Sequence, residues 1–174
     1  MNQPSELFRH CPQCGRARAG QGPVQPFHCE GCGFHFYFNA APAVAAFVLD
    51  GAGRALFVRR TREPARGMLA VPGGFVDLGE TAEAALRREI REEVSLEVGP
   101  LRFLGTQINE YPFRGVAYPV LDLFYVAEAI DPGRMIARDE VEGGCWRLPR
   151  EVAPEEIAFP SIRAALRAYL AGAG

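Results

Sequence analysis

Between Gly74 and Glu93 the chain carries acids at positions that ordinary helix design would avoid. The segment runs Gly73-Gly74-Phe75-Val76-Asp77-Leu78-Gly79-Glu80, continues through Thr81 to Arg87, and ends Arg88-Glu89-Ile90-Arg91-Glu92-Glu93-Val94-Ser95-Leu96. Ala82, Leu86, Ile90 and Val94 recur every four residues, which predicts a helix with one buried stripe, and Thr81 is placed to cap its start. At roughly 100° per residue, Glu89, Glu92 and Glu93 then share one arc of about 100°. Glu89 and Glu93 are like charges at i,i+4, and all three acids lie toward the C-terminal end, where the helix dipole favours cations. Such an array calls for a compensating charge, and an oxygen-seeking divalent ion, Mg²⁺ or Mn²⁺, fits it. The competing reading is a solvated face laced by Glu83–Arg87 and Arg88–Glu92 pairs, as charge runs usually are.

A second set of chemical residues stands nearer the start. Four of the five cysteines form Cys11-Pro-Gln-Cys14 and Cys29-Glu-Gly-Cys32, with 14 residues between the pairs, and each pair is followed by a glycine, Gly15 or Gly33. This spacing matches a four-thiolate tetrahedral zinc site. Disulfides are the alternative, but a cytosolic chain keeps its thiols reduced. With four protein ligands the ion has no open position, so its expected role is structural, and a module of about 30 residues needs it to fold. His10, His28 and His35 lie nearby and read as surface or packing residues, because the cysteines already fill the shell. Cys145 stands alone and reads as a small buried hydrophobe.

The elements around these residues follow from composition and pattern. At 174 residues, 48% hydrophobic and 23% charged, the chain has room for one full domain and a small appendage. All 19 basic residues are arginine, so no lysine can act as nucleophile or base and any phosphate clamp must be a guanidinium. A net charge of -2 supplies no broad basic surface, which weighs against nucleic-acid binding. No apolar run approaches a membrane span and Met1–His10 has no signal-peptide core, so a soluble, cytoplasmic protein is expected. Phe34–Pro42 reads as an aromatic strand that closes the first module, giving expected domains of 1–39 and 40–174. Ala43–Leu49 and Ala55–Arg60 form a hairpin about the Asp50–Gly53 turn, and Met68–Val71 is a short strand running into Pro72-Gly73-Gly74. After the acidic helix, 101–108 and 120–129 alternate as strands, 131–142 is a polar loop, 145–148 a strand and Ser161–Leu170 an amphipathic helix. Strands on both sides of one helix, with a second helix at the end, predict a mixed sheet covered on two faces.

The acidic segment, written G-x5-E-x7-R-E-I-x-E-E-x-S-L, resembles the signature of the Nudix hydrolases at every defined position except Ser95, where that family has glycine. The resemblance implies an α/β/α sandwich with a mixed sheet, here preceded by a small zinc ribbon. It also implies hydrolysis of the pyrophosphate in nucleoside diphosphates linked to another moiety. Carried over by position, Glu89, Glu92 and Glu93 are ligands for catalytic Mg²⁺ or Mn²⁺, with the Gly73 carbonyl a further one. One of the three, or a downstream acid, is the general base; Arg88 fixes a carboxylate and Glu80 supports the helix entrance. The downstream acid is Glu140, six positions before Trp146, with a solvated loop acid as the alternative. One of Arg59, Arg60 and Arg62 clamps a phosphate, and Arg60 is the choice here.

The ribbon placed before the box, joined through Tyr37, Asn39 and Pro42, is similar to the NADH pyrophosphatase branch. That branch carries a specificity array after the box, which 106–115 echoes only at Gln107 and Pro112-Phe113. Tyr111 and Phe113 are the candidates to stack on a base, with core packing as the alternative. Substrates are therefore expected among NADH, ADP-ribose, FAD and nucleotide sugars. A Nudix-fold nucleotide sensor, a nucleoside-triphosphate pyrophosphohydrolase and a homodimer remain open. Ser95 falls where a helix exit often turns left-handed, at a cost of about 1 kcal/mol without glycine.

Overall fold

The computed structural model describes residues 1–18, 26–138 and 141–172. Glu140, the expected downstream ligand, lies outside the described residues. The chain divides into two compact units: Met1–Ala41 with Glu110–Val120, and Pro42–Asn109 with Leu121–Gly174.

The first unit holds α1 (Pro4–Leu7), β1 (Phe27–His28) and β2 (His35–Phe36). β1 and β2 pair antiparallel, Phe27 opposite Phe36 and His28 opposite His35. The aromatic run expected as one strand over 34–42 is cut short: only two residues pair, and Phe34 and Phe38 pack with Phe8 and Phe27 around the cysteines while Phe36 stays exposed. With so small a core, a cluster of rings and the cysteine centre replace extended sheet. Asn2 also bridges Val116, the amide of Asn2 donating to the Gly115 carbonyl and that of Ala117 to the Asn2 carbonyl.

The second unit is built on β3 (Ala41–Leu49), β4 (Ala55–Arg60), β5 (Leu69–Ala70), β6 (Gly73–Phe75), α2 (Ala82–Val94), β7 (Arg102–Phe113), β8 (Val116–Glu128), β9 (Val141–Arg147) and α3 (Pro160–Gly172), the tip of the β7–β8 hairpin belonging to the first unit. The sheet runs β5-β4-β3-β8-β7, with β6 on β3 and β9 on β4. β3 and β4 pair antiparallel as the expected hairpin, and its turn is pinned by Asp50, whose Oδ1 accepts from the amides of Ala52 and Arg54. The Ala129 amide donates to the Leu49 carbonyl, joining the C-terminal ends of β8 and β3. Those neighbouring strands therefore run parallel, and the sheet is mixed. Phe47, Phe57, Phe124, Leu56, Leu86 and Ile90 fill the core.

The hairpin β7–β8 is longer than its sequence suggested. The stretch 109–119 continues both strands to a two-residue turn at Arg114-Gly115, where both residues have positive φ, 48° and 82°. That is the conformation matching the twist of paired strands. Tyr111 and Phe113 thus sit at a strand end. No described helix is long and apolar enough to cross a membrane.

Candidate active site

Helix α2 forms as its pattern predicts. Thr81 caps it, its hydroxyl accepting from the Ala84 amide at 3.2 Å, and Ala85, Leu86, Ile90 and Val94 are buried. Ser95 ends it in the left-handed conformation, φ 56° and ψ 30°, with its amide on the Arg91 carbonyl. The last carbonyls are also capped from outside the helix: the Ile136 amide donates to Val94 and the Arg138 amide to Glu93. The Glu83–Arg87 pair of the competing solvated-face reading does not form. Arg87 donates to the carbonyls of Val98 and Gly99 at 2.6 and 2.8 Å, locking the chain that leaves the helix.

The glycine turn meets the acids directly. β6 pairs with β3, Val44 opposite Gly74 and Ala45 opposite Gly73. The Gly73 amide donates to Glu93 Oε2 at 3.0 Å. Gly73 has φ +154°, and a Cβ on it would collide with the Val44 carbonyl; one on Gly74 would collide with the Glu89 carboxylate. Close approach to the β3 backbone therefore requires glycine at 73, while a side chain at 74 would displace the Glu89 carboxylate.

Arg88 is the cation at the centre. Its guanidinium reaches Glu80 Oε1 at 2.6 Å, Glu89 Oε1 at 2.8 Å, Glu92 Oε2 at 3.1 Å and the Phe75 carbonyl at 3.1 Å. These partners raise its proton affinity above that of a free arginine, Glu80 most of all. Arg88 and the Asp77 amide in turn hold the Glu80 carboxyl below its ordinary value. Glu89 moves the other way: burial pushes it up, and the nearby Glu92 and Asp77 charges add to that, against the pull of Arg88. One arginine faces Glu80, Glu89, Glu92 and Asp77, so the cluster carries a surplus of negative charge. A donor set of carboxylates with a charge deficit suits a hard divalent cation.

Of the expected substrate residues, Arg60 donates to the Pro64 carbonyl at 2.8 Å and lies over the Phe159 ring, 5.0 Å from its centroid. Arg59 is bonded to the Gly67 carbonyl. In the first unit, Tyr111 and Phe113 have ring centroids 6.5 Å apart, and Phe113 is half exposed beneath Arg114.

The cysteine centre is organised by its backbone. Gly15 donates to the Cys11 carbonyl and Gly33 to the Cys29 carbonyl, both glycines at positive φ, while the amides of Cys11 and Cys29 donate to the carbonyls of Arg16 and Phe34. The two knuckles are thus copies of one turn. All four sulfurs lie within 4.8 Å of one another, with Cys11 to Cys32 at 3.7 Å and Cys14 to Cys29 at 3.6 Å. A tetrahedron with zinc–sulfur bonds of about 2.3 Å has edges of about 3.8 Å, so the residues fit such an ion. The Cys32 amide, with that of Gly31, holds the Cys29 thiol down at about 6. Cys32 is pushed up to about 12, burial and the three neighbouring sulfurs outweighing the Phe34 amide. Four sulfurs that cannot all ionise together are what a cation would resolve. His28 and His35 stack on each other at 4.3 Å, and Cys145 is only partly buried on β9.

The NUDIX domain family model matches residues 39–168, and the chain belongs to that family. Among its relatives are proteins described as NAD-capped RNA hydrolase NudC. The one from Pseudomonas aeruginosa is 30% identical over 79% of this chain and 47% of its own length; that from Mycobacterium bovis is 35% identical over 72% and 40%. The chain thus spans about half the length of the curated relatives it matches. Among solved structures, a NUDIX hydrolase from Nitrosomonas europaea superposes with a TM-score of 0.69 at 22% identity, covering 94% of this chain and 91% of the other. The NUDIX domain of Shewanella oneidensis NrtR, in complex with ADP ribose, does so at 0.64 and 19%, covering 78% and 90%.

Proposed function

We propose that the protein is a metal-dependent pyrophosphohydrolase that splits the diphosphate of ADP-linked compounds such as NADH, ADP-ribose or FAD and releases AMP. The observation that carries this reading is the seating of the acids on the glycine turn: Gly73 orients Glu93 through its amide and Gly74 admits Glu89 against the backbone. Glu89, Glu92 and Glu93, with the Gly73 carbonyl, would hold Mg²⁺ or Mn²⁺, and the cysteines would hold zinc. When bound, the divalent ions neutralise the pyrophosphate oxygens and favour attack by water. Arg88 keeps Glu80, Glu89 and Glu92 from splaying apart, which preserves the arc of carboxylates between turnovers. One of Glu89, Glu92 and Glu93, or a downstream acid, would serve as general base. Arg60, whose Nε donates to the Pro64 carbonyl, would offer its terminal nitrogens to a phosphate.

The names of the relatives support an adenine dinucleotide, free or at the end of an RNA, over a triphosphate. The test is a panel of NADH, ADP-ribose, FAD, NAD-capped RNA and dGTP with Mg²⁺ or Mn²⁺, read as AMP by chromatography. Release of AMP from the ADP-linked members is expected. Turnover of dGTP far above ADP-ribose and NADH, or of nothing in the panel, would overturn the reading.

A further inference from the structure

Asp122 is a buried carboxyl that the chemistry above does not use. It is 9% exposed on β8, the strand beside β3, and burial pushes its proton affinity up, tempered by the Ser161 and Asn109 side chains. Ser161, 2% exposed in the first turn of α3, sets its hydroxyl beside that carboxyl. A buried acid held only by two neutral side chains is costly, and each such group needs an explanation.

The sheet locates this pair. Counting back along the parallel strands from the Ala129–Leu49 bond sets Asp122 beside Ala43, and Ala43 pairs on its other side with Phe75. Asp122 therefore lies about 10 Å, two strand spacings, from the end of the glycine turn that seats the acids. The floor between them is made of small residues. Ala43 and Ala45 face the same side as Phe47, yet both remain partly open to solvent in the middle of the sheet, whereas Phe47 is sealed beneath Tyr169 of α3. Phe75, 40% exposed, stands on the far side. The result is a shallow trough with an apolar floor, an aromatic wall and one acid at its edge. It lies within the reach of a nucleoside whose diphosphate rests on Gly73-Gly74.

We infer that Asp122, with Asn109 and Ser161, reads the amino group of a planar nitrogen heterocycle laid over Ala43, and so sets which ring the enzyme accepts. The inference rests on the function proposed above. A carboxylate accepts from an N–H₂ donor and repels a carbonyl or carboxylate in its place, and a site built for such a bond rejects the analogue lacking it. Adenine and the carboxamide of nicotinamide both present that group.

The experiment compares two pairs: ADP-ribose with its inosine analogue, and NAD with its nicotinic-acid analogue. Wild type should prefer the amino-bearing member of one pair by at least about tenfold in kcat/KM. Asp122→Asn, which offers either a donor or an acceptor, should bring that pair within about threefold, and the pair affected names the ring. Equal turnover within both pairs by wild type overturns the inference without need of any variant. So does an Asp122→Asn enzyme that slows both members alike, the mark of a merely structural acid. If no dinucleotide is cleaved, the proposed reaction fails on its own. Calorimetric titration of wild type with AMP against IMP, and with nicotinamide mononucleotide against nicotinic acid mononucleotide, then decides the inference: a tenfold preference within either pair upholds it and equal affinities sink it.

Discussion

The cysteine cluster and the carboxylate cluster of this molecule are held in opposite ways. At the cysteine centre the backbone does the positioning: two identical turns, each closed by a glycine amide, bring four sulfurs to tetrahedral spacing. Among the carboxylates the positioning is shared by a main-chain amide, at Glu93, and by the side chain of Arg88, which gathers Glu80, Glu89 and Glu92 around one guanidinium. The first arrangement is closed and suits a permanent ion. The second leaves carboxylate charge unneutralised and open to exchange, as a site must be if ions and substrate come and go. Backbone closure and side-chain gathering of charge thus fall in different units of one chain.

The sharpest way to break this comparison is to remove charge from the open site without changing shape. Glu93→Gln should lower kcat by more than about a hundredfold while leaving the melting temperature nearly unchanged, since a residue that only supports a ligand already costs 10- to 100-fold. Near-normal turnover would show that Glu93 holds no ion. Glu92→Gln, at a more exposed position, should do the same. Arg88→Gln comes next: losing the shared cation should cost roughly 10- to 100-fold in metal affinity, measured by Mn²⁺ titration. Unaltered affinity would reduce Arg88 to an ordinary surface pair.

Cys14→Ser tests the closed site. It should abolish the single tightly held zinc found by elemental analysis and loosen hydrogen-exchange protection in the first unit. Any loss of activity should be indirect, so a variant that keeps its zinc and its protection would contradict the assignment. Acid should distinguish the centres further. Because Arg88 depresses the Glu80 carboxyl below its ordinary 4.5, that clamp is complete above this value and is lost as pH falls through the depressed one. Glu89 is raised instead, so it takes up a proton first on acidification, and ionising it opposes folding as pH rises through its raised value. Mn²⁺ affinity should therefore fall before the fold does, and simultaneous loss would refute the difference. The smallest expected effect is Ser95→Gly, which relieves a left-handed serine: about 1 kcal/mol, or roughly 2–4 °C in thermal melting.

Much of both clusters was legible in the sequence. The helix, its cap at Thr81 and the acidic face follow from local spacing, and so do the knuckles, because each is a contact between residues a few positions apart. Ser95 was recognisable as the odd residue in a left-handed position for the same reason. What local pattern could not supply were partners chosen by tertiary structure. Arg87 leaves the neighbouring Glu83 for carbonyls at Val98 and Gly99. The 109–119 segment reads as loop because of Pro112 and Gly115, yet pairing across the hairpin makes it strand. Asp122 reads as one polar residue in an alternating strand, and only the parallel alignment with β3 sets it beside Ala43. Arg60 is held by the Pro64 carbonyl and lies over the Phe159 ring, a contact that no spacing encodes.

The Gly73 amide that orients Glu93 has a genetic consequence. Arg88 is exposed to loss at every base change in its codon that is not synonymous, whereas a main-chain donor has no codon of its own. Short of proline, no replacement at position 73 deletes it, and a bulkier residue fails by colliding with the strand beside it instead. In a library of random variants, damage at position 73 should therefore appear as loss of soluble protein. Damage at position 88 should appear as intact protein with a weakened centre.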